Sequence, residues 1–282
     1  MCERITELTE IPTITLNNGV VMPQLGFGVF QVPDAETTDA VTAALNAGYR
    51  SIDTAAAYRN EKGVGIALAE SGIKREELFV TTKLQNPDQG YDSTLRAFDH
   101  SLGQLGLDVV DLYLIHWPRP AKDQYLDTWR AFEKLYADGR VRAIGVSNFQ
   151  PEHLRRLFDN SEIVPAVNQI ELHPFLVQEE LRAFDAKHGI ATEAWSPLAK
   201  GGELLSNPAV TGIAQRLERT PAQVVLRWHI QLGNVVIPKS VTPARIVQNI
   251  DVFDFELTDA DVAALTALDK GLRTGPDPDT FG

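Results

Sequence analysis

The chain has 282 residues, 44% hydrophobic and 23% charged, which is long for one ordinary domain but normal for a single soluble (β/α) barrel. Its 38 acidic and 26 basic residues leave a net charge of -12, a surface that repels phosphate backbones and excludes a nucleic-acid binder. No apolar run reaches the ~20 residues of a membrane span. Residues 1–7 lack the basic-then-apolar order of a signal peptide, and the one cysteine, Cys2, allows no intramolecular disulfide, which fits a reducing cytoplasm.

In chain order, Asn17-Asn18-Gly19 between two apolar runs predicts a hairpin over 13–22, a small lid on one end of the fold. Alternation follows. Strands are predicted over 24–28, 49–53, 78–83, 109–115, 141–146, 166–170, 190–195 and 235–238. Between them lie helices over 35–47, 60–71, 93–105, 125–137, 151–158 and 178–188, then 208–217 and 221–231. Glycines 48, 72, 106, 139 and 189 close five of them. A helix over 243–250 follows the last strand, an amphipathic one covers 259–268, and the tail from Gly271 is rich in Gly, Pro and Asp.

Eight strand–helix units in a chain of this length close most naturally into an α/β (β/α)8 barrel, with residues 1–282 as a single domain. An open doubly wound sheet is the alternative, but Gly26-Phe27-Gly28 has no third glycine and no ribose-reading acid follows.

In a barrel the C-terminal strand ends form the reactive face. Here they carry Gly28, Asp53, Lys83, His116, Ser147-Asn148, Gln169, Trp195 and Lys239-Ser240. Each has a bland reading. Asp53 alone is a turn former, Tyr58 a packed aromatic, Lys83 a solvated lysine and His116 a core histidine. Four such residues on three successive strand ends favour a shared site.

The chemistry is specific. A lysine ammonium beside a phenol stabilises the phenolate and is expected to lower the tyrosine pKa. A buried lysine needs a carboxylate partner, which Asp53 supplies. A histidine orients a substrate oxygen. Together Tyr58, Lys83, Asp53 and His116 polarise a carbonyl and protonate the alkoxide. No side chain delivers hydride, so a cofactor must.

Five stretches resemble the aldo-keto reductase superfamily. They are 48–55 with Tyr58, Val80-Thr81-Thr82-Lys83, 111–118 ending His116-Trp117-Pro118, Gly145-Val146-Ser147-Asn148-Phe149 and Ile237-Pro238-Lys239-Ser240. The likeness runs from about Thr13 to the tail, and the short loops are similar to the prokaryotic branch containing the 2,5-diketo-D-gluconate reductases. It implies a TIM barrel that reduces aldehydes and ketones with NADPH, Tyr58 being the general acid.

By the same resemblance Ser147, Asn148 and Gln169 hold the nicotinamide carboxamide and Trp195 stacks on its ring, where many relatives have tyrosine. Ser196 and Leu198, in a short loop after Trp195, complete that part of the cofactor site. Lys239, Ser240 and Arg245 hold the 2′-phosphate, and Gln248 and Asn249 meet the adenine. A lysine, hydroxyls and an arginine at a helix start favour an anion independently. Phe30, Trp117, His116 and the tail wall the substrate pocket, with contributions from Val29 and Gln85.

Such walls suit small aldehydes, ketones and dicarbonyls, with diketo sugar acids possible by kinship. The expected partner is a small-molecule carbonyl, with no nucleic acid and no membrane, and a monomer by resemblance. Two other classes compete. An idle, NADPH-binding redox-sensing module has no reason to keep all four site residues. A metal-dependent hydrolase needs paired histidines that the sequence lacks, so no metal is expected.

Overall fold

The computed structural model describes residues 10–281; Cys2 and the N-terminal stretch 1–7 lie outside them. Asn17-Asn18-Gly19 turns the chain between β1 (Thr13–Thr15) and β2 (Val21–Pro23), which pair antiparallel with Ile14 opposite Met22. The asparagines also tie the hairpin down, Asn17 donating to the Pro165 carbonyl at 3.0 Å and Asn18 to that of Arg142 at 2.9 Å. Leu16 and Met22 pack on Phe79, Leu112, Val167 and Val235, near the N-terminal ends of the barrel strands. The hairpin therefore plugs the bottom of the barrel, opposite the candidate site.

The strands of that barrel are β3 (Phe27–Gly28), β4 (Ser51–Asp53), β5 (Phe79–Leu84), β6 (Val110–Ile115), β7 (Val141–Ser147), β8 (Val167–Glu171), β9 (Ala191–Trp195) and β10 (Val235–Val236). Each pairs in parallel with its sequence neighbour. Leu25 bridges Val236, and the Gly28 amide donates to the Pro238 carbonyl at 3.1 Å, so first and last strands meet and the barrel closes.

Around it run α1 (Asp34–Ala47), α2 (Glu61–Glu70), α3 (Tyr91–Leu105), α4 (Tyr125–Ala137), α5 (Pro151–Phe158), α6 (Glu179–Lys187), α7 (Pro208–Leu217), α8 (Pro221–Gln231), α9 (Pro243–Ile250) and α10 (Asp259–Thr266). Their buried faces and the outer faces of the strands make one continuous apolar layer. Gly65 lets α2 and α3 approach; a Cβ there would sit 2.5 Å from the Leu105 carbonyl oxygen.

Most predicted elements fall within two residues of the observed ones, the usual fraying of helix ends. The two closing strands are shorter than expected. Over 24–28 only Phe27–Gly28 is regular strand. Pro238 has no N–H to offer a ladder, and β10 stops at Val236.

Strand alternation then decides what faces the barrel interior. Ser51 and Asp53, Thr81 and Lys83, Gln169 and Glu171, Glu193 and Trp195 are each two residues apart on one face. Polar groups rise along the axis toward the C-terminal rim.

Candidate active site

Lys83, fully buried on β5, is the hub. Its ammonium donates to Asp53 Oδ1 at 2.6 Å, to the Thr54 carbonyl at 2.9 Å and to the Tyr58 hydroxyl at 3.2 Å. All three ammonium hydrogens are therefore placed. Burial works against its charge, but Asp53 and Tyr58 outweigh that and hold Lys83 above the ordinary lysine range. Tyr58 sits on a single 3-10 turn, Ala56–Tyr58, after β4, and the left-handed Arg59 (φ 58°) ends it.

The expected direction of the Tyr58 shift is corrected. Burial raises the phenol above its ordinary value, and the Lys83 ammonium opposes that rise without cancelling it. The hydroxyl is therefore protonated at neutral pH. His116, just past β6, has its ring 5.7 Å from that of Tyr58, edge to face. Burial, then the Lys83 charge, pushes the imidazole down to about 3, so it is neutral and has one N–H to donate.

A second set of polar groups adjoins the first. Ser147 Oγ donates to the Gln169 carbonyl at 2.7 Å and accepts from Asn148 Nδ2 at 3.1 Å. Asn148, in the left-handed region at φ 64°, also donates to the His116 carbonyl at 3.0 Å. Its Oδ1 accepts from the Trp195 indole N–H at 2.8 Å. Gln169 Nε2 donates to Asp53 Oδ2 at 2.8 Å and to Glu193 Oε2 at 2.9 Å. Ser147 Oγ, Asn148 Oδ1 and Gln169 Oε1 thus retain lone pairs, an acceptor set that suits an amide NH2.

After Trp195 the backbone is unusual: Ser196, Ala199 and Lys200 all have left-handed φ, between 48° and 60°. Leu198 is half-buried in that turn. Lys239, Arg245 and Gln248 are exposed around the start and outer face of α9, and neither cation pairs with a carboxylate among the described residues. Ser240 is buried and its Oγ accepts from the Thr242 amide at 3.0 Å; Asn249 is buried against the barrel.

Around the mouth, Phe30 is 50% exposed with its ring 5.1 Å from Tyr58. Trp117 lies between Trp195, 6.4 Å away, and the tail residue Phe281, 4.6 Å away. Val29 does not line this opening; its side chain joins the buried core. Gln85 is tied to Asp88 Oδ2 at 2.7 Å.

Three features escaped the sequence reading. Glu171 Oε1, at the end of β8, accepts from the Thr274 amide and hydroxyl, both at 2.6 Å, and its Oε2 from the Gly275 amide at 3.1 Å. Burial alone would raise that carboxyl, but these bonds and His173 lower it below the usual glutamate value. Gly275 lies against Trp195, where a Cβ would be 2.4 Å from the indole edge. Glu193 is buried beside Asp53. An acid within a predicted strand or just after one was the available signal for the two glutamates. Among the described residues no three His, Cys, Asp or Glu side chains gather as a metal site, and no helix is long and apolar enough to cross a membrane.

Comparison with known proteins agrees with this architecture. Residues 24–270 match the Aldo/keto reductase family. The chain is 56% identical over 268 residues to a glyoxal reductase of Bacillus subtilis, covering 95% of this chain and 96% of the relative. It is 53% identical over 276 residues to the methylglyoxal reductase DkgA of Yersinia pestis, covering 98% and 99%. A crystal structure of a Gox0644 mutant in complex with NADPH superposes with a TM-score of 0.93 at 50% identity, over 97% of this chain and 99% of that one. Barrel, rim chemistry and kinship over nearly the whole length lead to one assignment: the chain belongs to the aldo/keto reductase family.

Proposed function

We propose that the protein reduces small aldehydes, ketones and above all dicarbonyls to alcohols at the expense of NADPH, with Tyr58 as the proton donor. The observation that carries this reading is the buried Lys83 ammonium bonded at once to Asp53, Thr54 and the Tyr58 hydroxyl. The glyoxal and methylglyoxal reductases among its relatives support the dicarbonyl class.

The residues fit a nicotinamide nucleotide. Ser147, Asn148 and Gln169 offer acceptors for a carboxamide, and Trp195 a flat face beside them. Ser196 and Leu198 shape the turn that follows. Lys239 and Arg245, exposed and without carboxylate partners among the described residues, stand beside Ser240 at the start of α9 and suit a phosphate; Gln248 and Asn249 lie farther along that helix. When bound, NADPH supplies the hydride.

The chain's own groups do the rest. His116, neutral, donates its N–H to the substrate oxygen and orients it between Phe30 and Trp117. As negative charge grows on that oxygen, the Tyr58 hydroxyl gives it a proton. A phenol of raised pKa still suffices, because an alkoxide is far more basic than a phenolate. Lys83 then stabilises the phenolate at hydrogen-bond distance, and Asp53 holds Lys83 in place. We read residues 1–282 as one catalytic unit, supported by the continuous core. A cytoplasmic location is the matching reading, supported by the single cysteine, and a monomer is inferred from the family resemblance alone.

The test is loss of NADPH absorbance with methylglyoxal. Tyr58→Phe should bind NADPH near normally and lose roughly 100- to 10,000-fold in turnover, the contribution of a positioned acid. A Tyr58→Phe enzyme that keeps wild-type turnover would refute the assignment. Arg245→Ala should weaken NADPH by roughly 10- to 100-fold, the value of a charge-assisted bond, and leave NADH unchanged. Equal losses with both cofactors would remove Arg245 from the phosphate site.

A further inference from the structure

Glu193 lies inside the barrel two residues before Trp195, fully buried, and no part of the chemistry above uses it. Its only hydrogen-bond partner among the described residues is Gln169 Nε2, at 2.9 Å from Oε2. Its other oxygen, Oε1, is buried with no partner. The same Gln169 amide nitrogen donates to Asp53 Oδ2 at 2.8 Å, so one NH2 group bridges two acids. Asp53 already faces a cation, since its Oδ1 takes Lys83 at 2.6 Å. Among the described residues no second cation faces Glu193. The groups facing it are Asp53 from β4, Lys83 from β5, Tyr58 beyond β4 and the neutral Gln169 from β8; β10 sets Val235 beside it in register and β3 offers no titratable side chain. Asp185 of α6 bonds Thr192 and Asn168, the residues on the opposite face of β9 and β8.

A carboxylate with one hydrogen bond, one bare oxygen and an anionic neighbour is strongly disfavoured in a dry interior. We propose that Glu193 is carried as the neutral acid and acts as a positioning residue, its proton keeping the Asp53–Lys83–Tyr58 cluster free of a second negative charge. Burial, then the charge of Asp53, pushes its carboxyl up to about 8. Loss of that proton would set a second anion beside Asp53 and Gln169. Tyr58 would then hold its own proton more tightly, since a phenolate there would face two carboxylates and one ammonium. The inference rests on reading Tyr58 as the acid.

Two measurements on the full chain test it. The first needs no turnover. Between the unfolded glutamate pKa, about 4.3, and the folded value, the folded protein keeps a proton that the unfolded chain has lost. The Glu193 contribution to wild-type stability therefore falls through that window, by about tenfold in the folding constant per pH unit. Glu193→Gln has no such proton, so its stability relative to wild type should rise steadily from pH 5 to pH 8. Glu193→Leu repeats the measurement should the amide variant fail to fold. A gap that stays constant with pH overturns the proposal.

The second measurement is the pH profile of kcat for NADPH-driven methylglyoxal reduction. Wild type should show a falling one-proton limb on the alkaline side that Glu193→Gln loses, the variant keeping at least about threefold more of its neutral-pH rate at pH 9. A limb that stays in place while the relative stability rises overturns the coupling to Tyr58. If Tyr58→Phe also turned over normally, the acid assignment and this coupling would fall together, whereas the stability arm alone reports on the Glu193 proton.

Discussion

Tyr58 is held by a competition between burial and charge. Burial keeps the proton on the phenol, and in the proposed reaction an ammonium 3.2 Å away makes its departure tolerable once an alkoxide has formed. The four residues were legible in the sequence because each ends or follows a strand, and that position is local information. The sign of the Tyr58 shift was not legible, because desolvation depends on what packs over the ring, and Phe30 and His116 arrive from other strands. Lys83 links both halves of the balance, so Lys83→Met should fail in two ways. Turnover should drop roughly 100- to 10,000-fold. Stability should fall by about 3–5 kcal/mol, because Asp53 is left as a buried anion with Gln169 as its one remaining side-chain partner among the described residues. Denaturant titration and steady-state kinetics on the same preparation separate the two effects. A variant that is inactive yet as stable as wild type would mean that Asp53 takes up a proton or water at once.

At the scale of elements, the least legible part of the site is the tail. Its composition reads as a loop, and its anchor, Glu171, lies about a hundred residues earlier on β8. Only the barrel brings them together. The bonds are firm: Thr274 and Gly275 donate three hydrogens to one carboxylate, Lys200 Nζ donates to the Thr274 carbonyl at 2.6 Å, and Phe281 reaches Trp117. The tail therefore sets the height of the roof over Trp195. Gly275 is the contact point, and a methyl there collides with the indole edge at 2.4 Å. Gly275→Ala should displace tail or indole and lower kcat/KM for methylglyoxal roughly tenfold or more, as small misplacements near reacting groups do. Its melting temperature should change little, since the half-exposed tail contributes little to the core. Unchanged kinetics would show that the tail yields and Trp195 does not depend on it.

The whole molecule separates stability from chemistry along the barrel axis. Asp53, Lys83, Gln169 and Glu193 occupy the upper interior, and an apolar plug fills the lower end. This division follows from strand alternation, because one inward face runs from Phe79 at the base of β5 through Thr81 to Lys83 near its rim. The sequence carried that order openly on β5. It was less visible on β8 and β9, where polar residues are mixed into the strands and the partners lie far along the chain, the tail for Glu171 and Gln169 of β8 for Glu193. Met22 seals the plug, fully buried in the cluster that includes Phe79, Leu112 and Val235. Met22→Ala removes that packing and leaves a cavity, so unfolding free energy should fall by about 2–5 kcal/mol. The rim has its own hydrogen bonds and does not lean on Met22, so kcat and KM at 25 °C should stay within about twofold of wild type, in line with the modest effects of changes distant from a site. Denaturant midpoints and methylglyoxal kinetics at one temperature check both halves. A large fall in kcat while the variant is still fully folded would show that the two ends of the barrel are mechanically coupled.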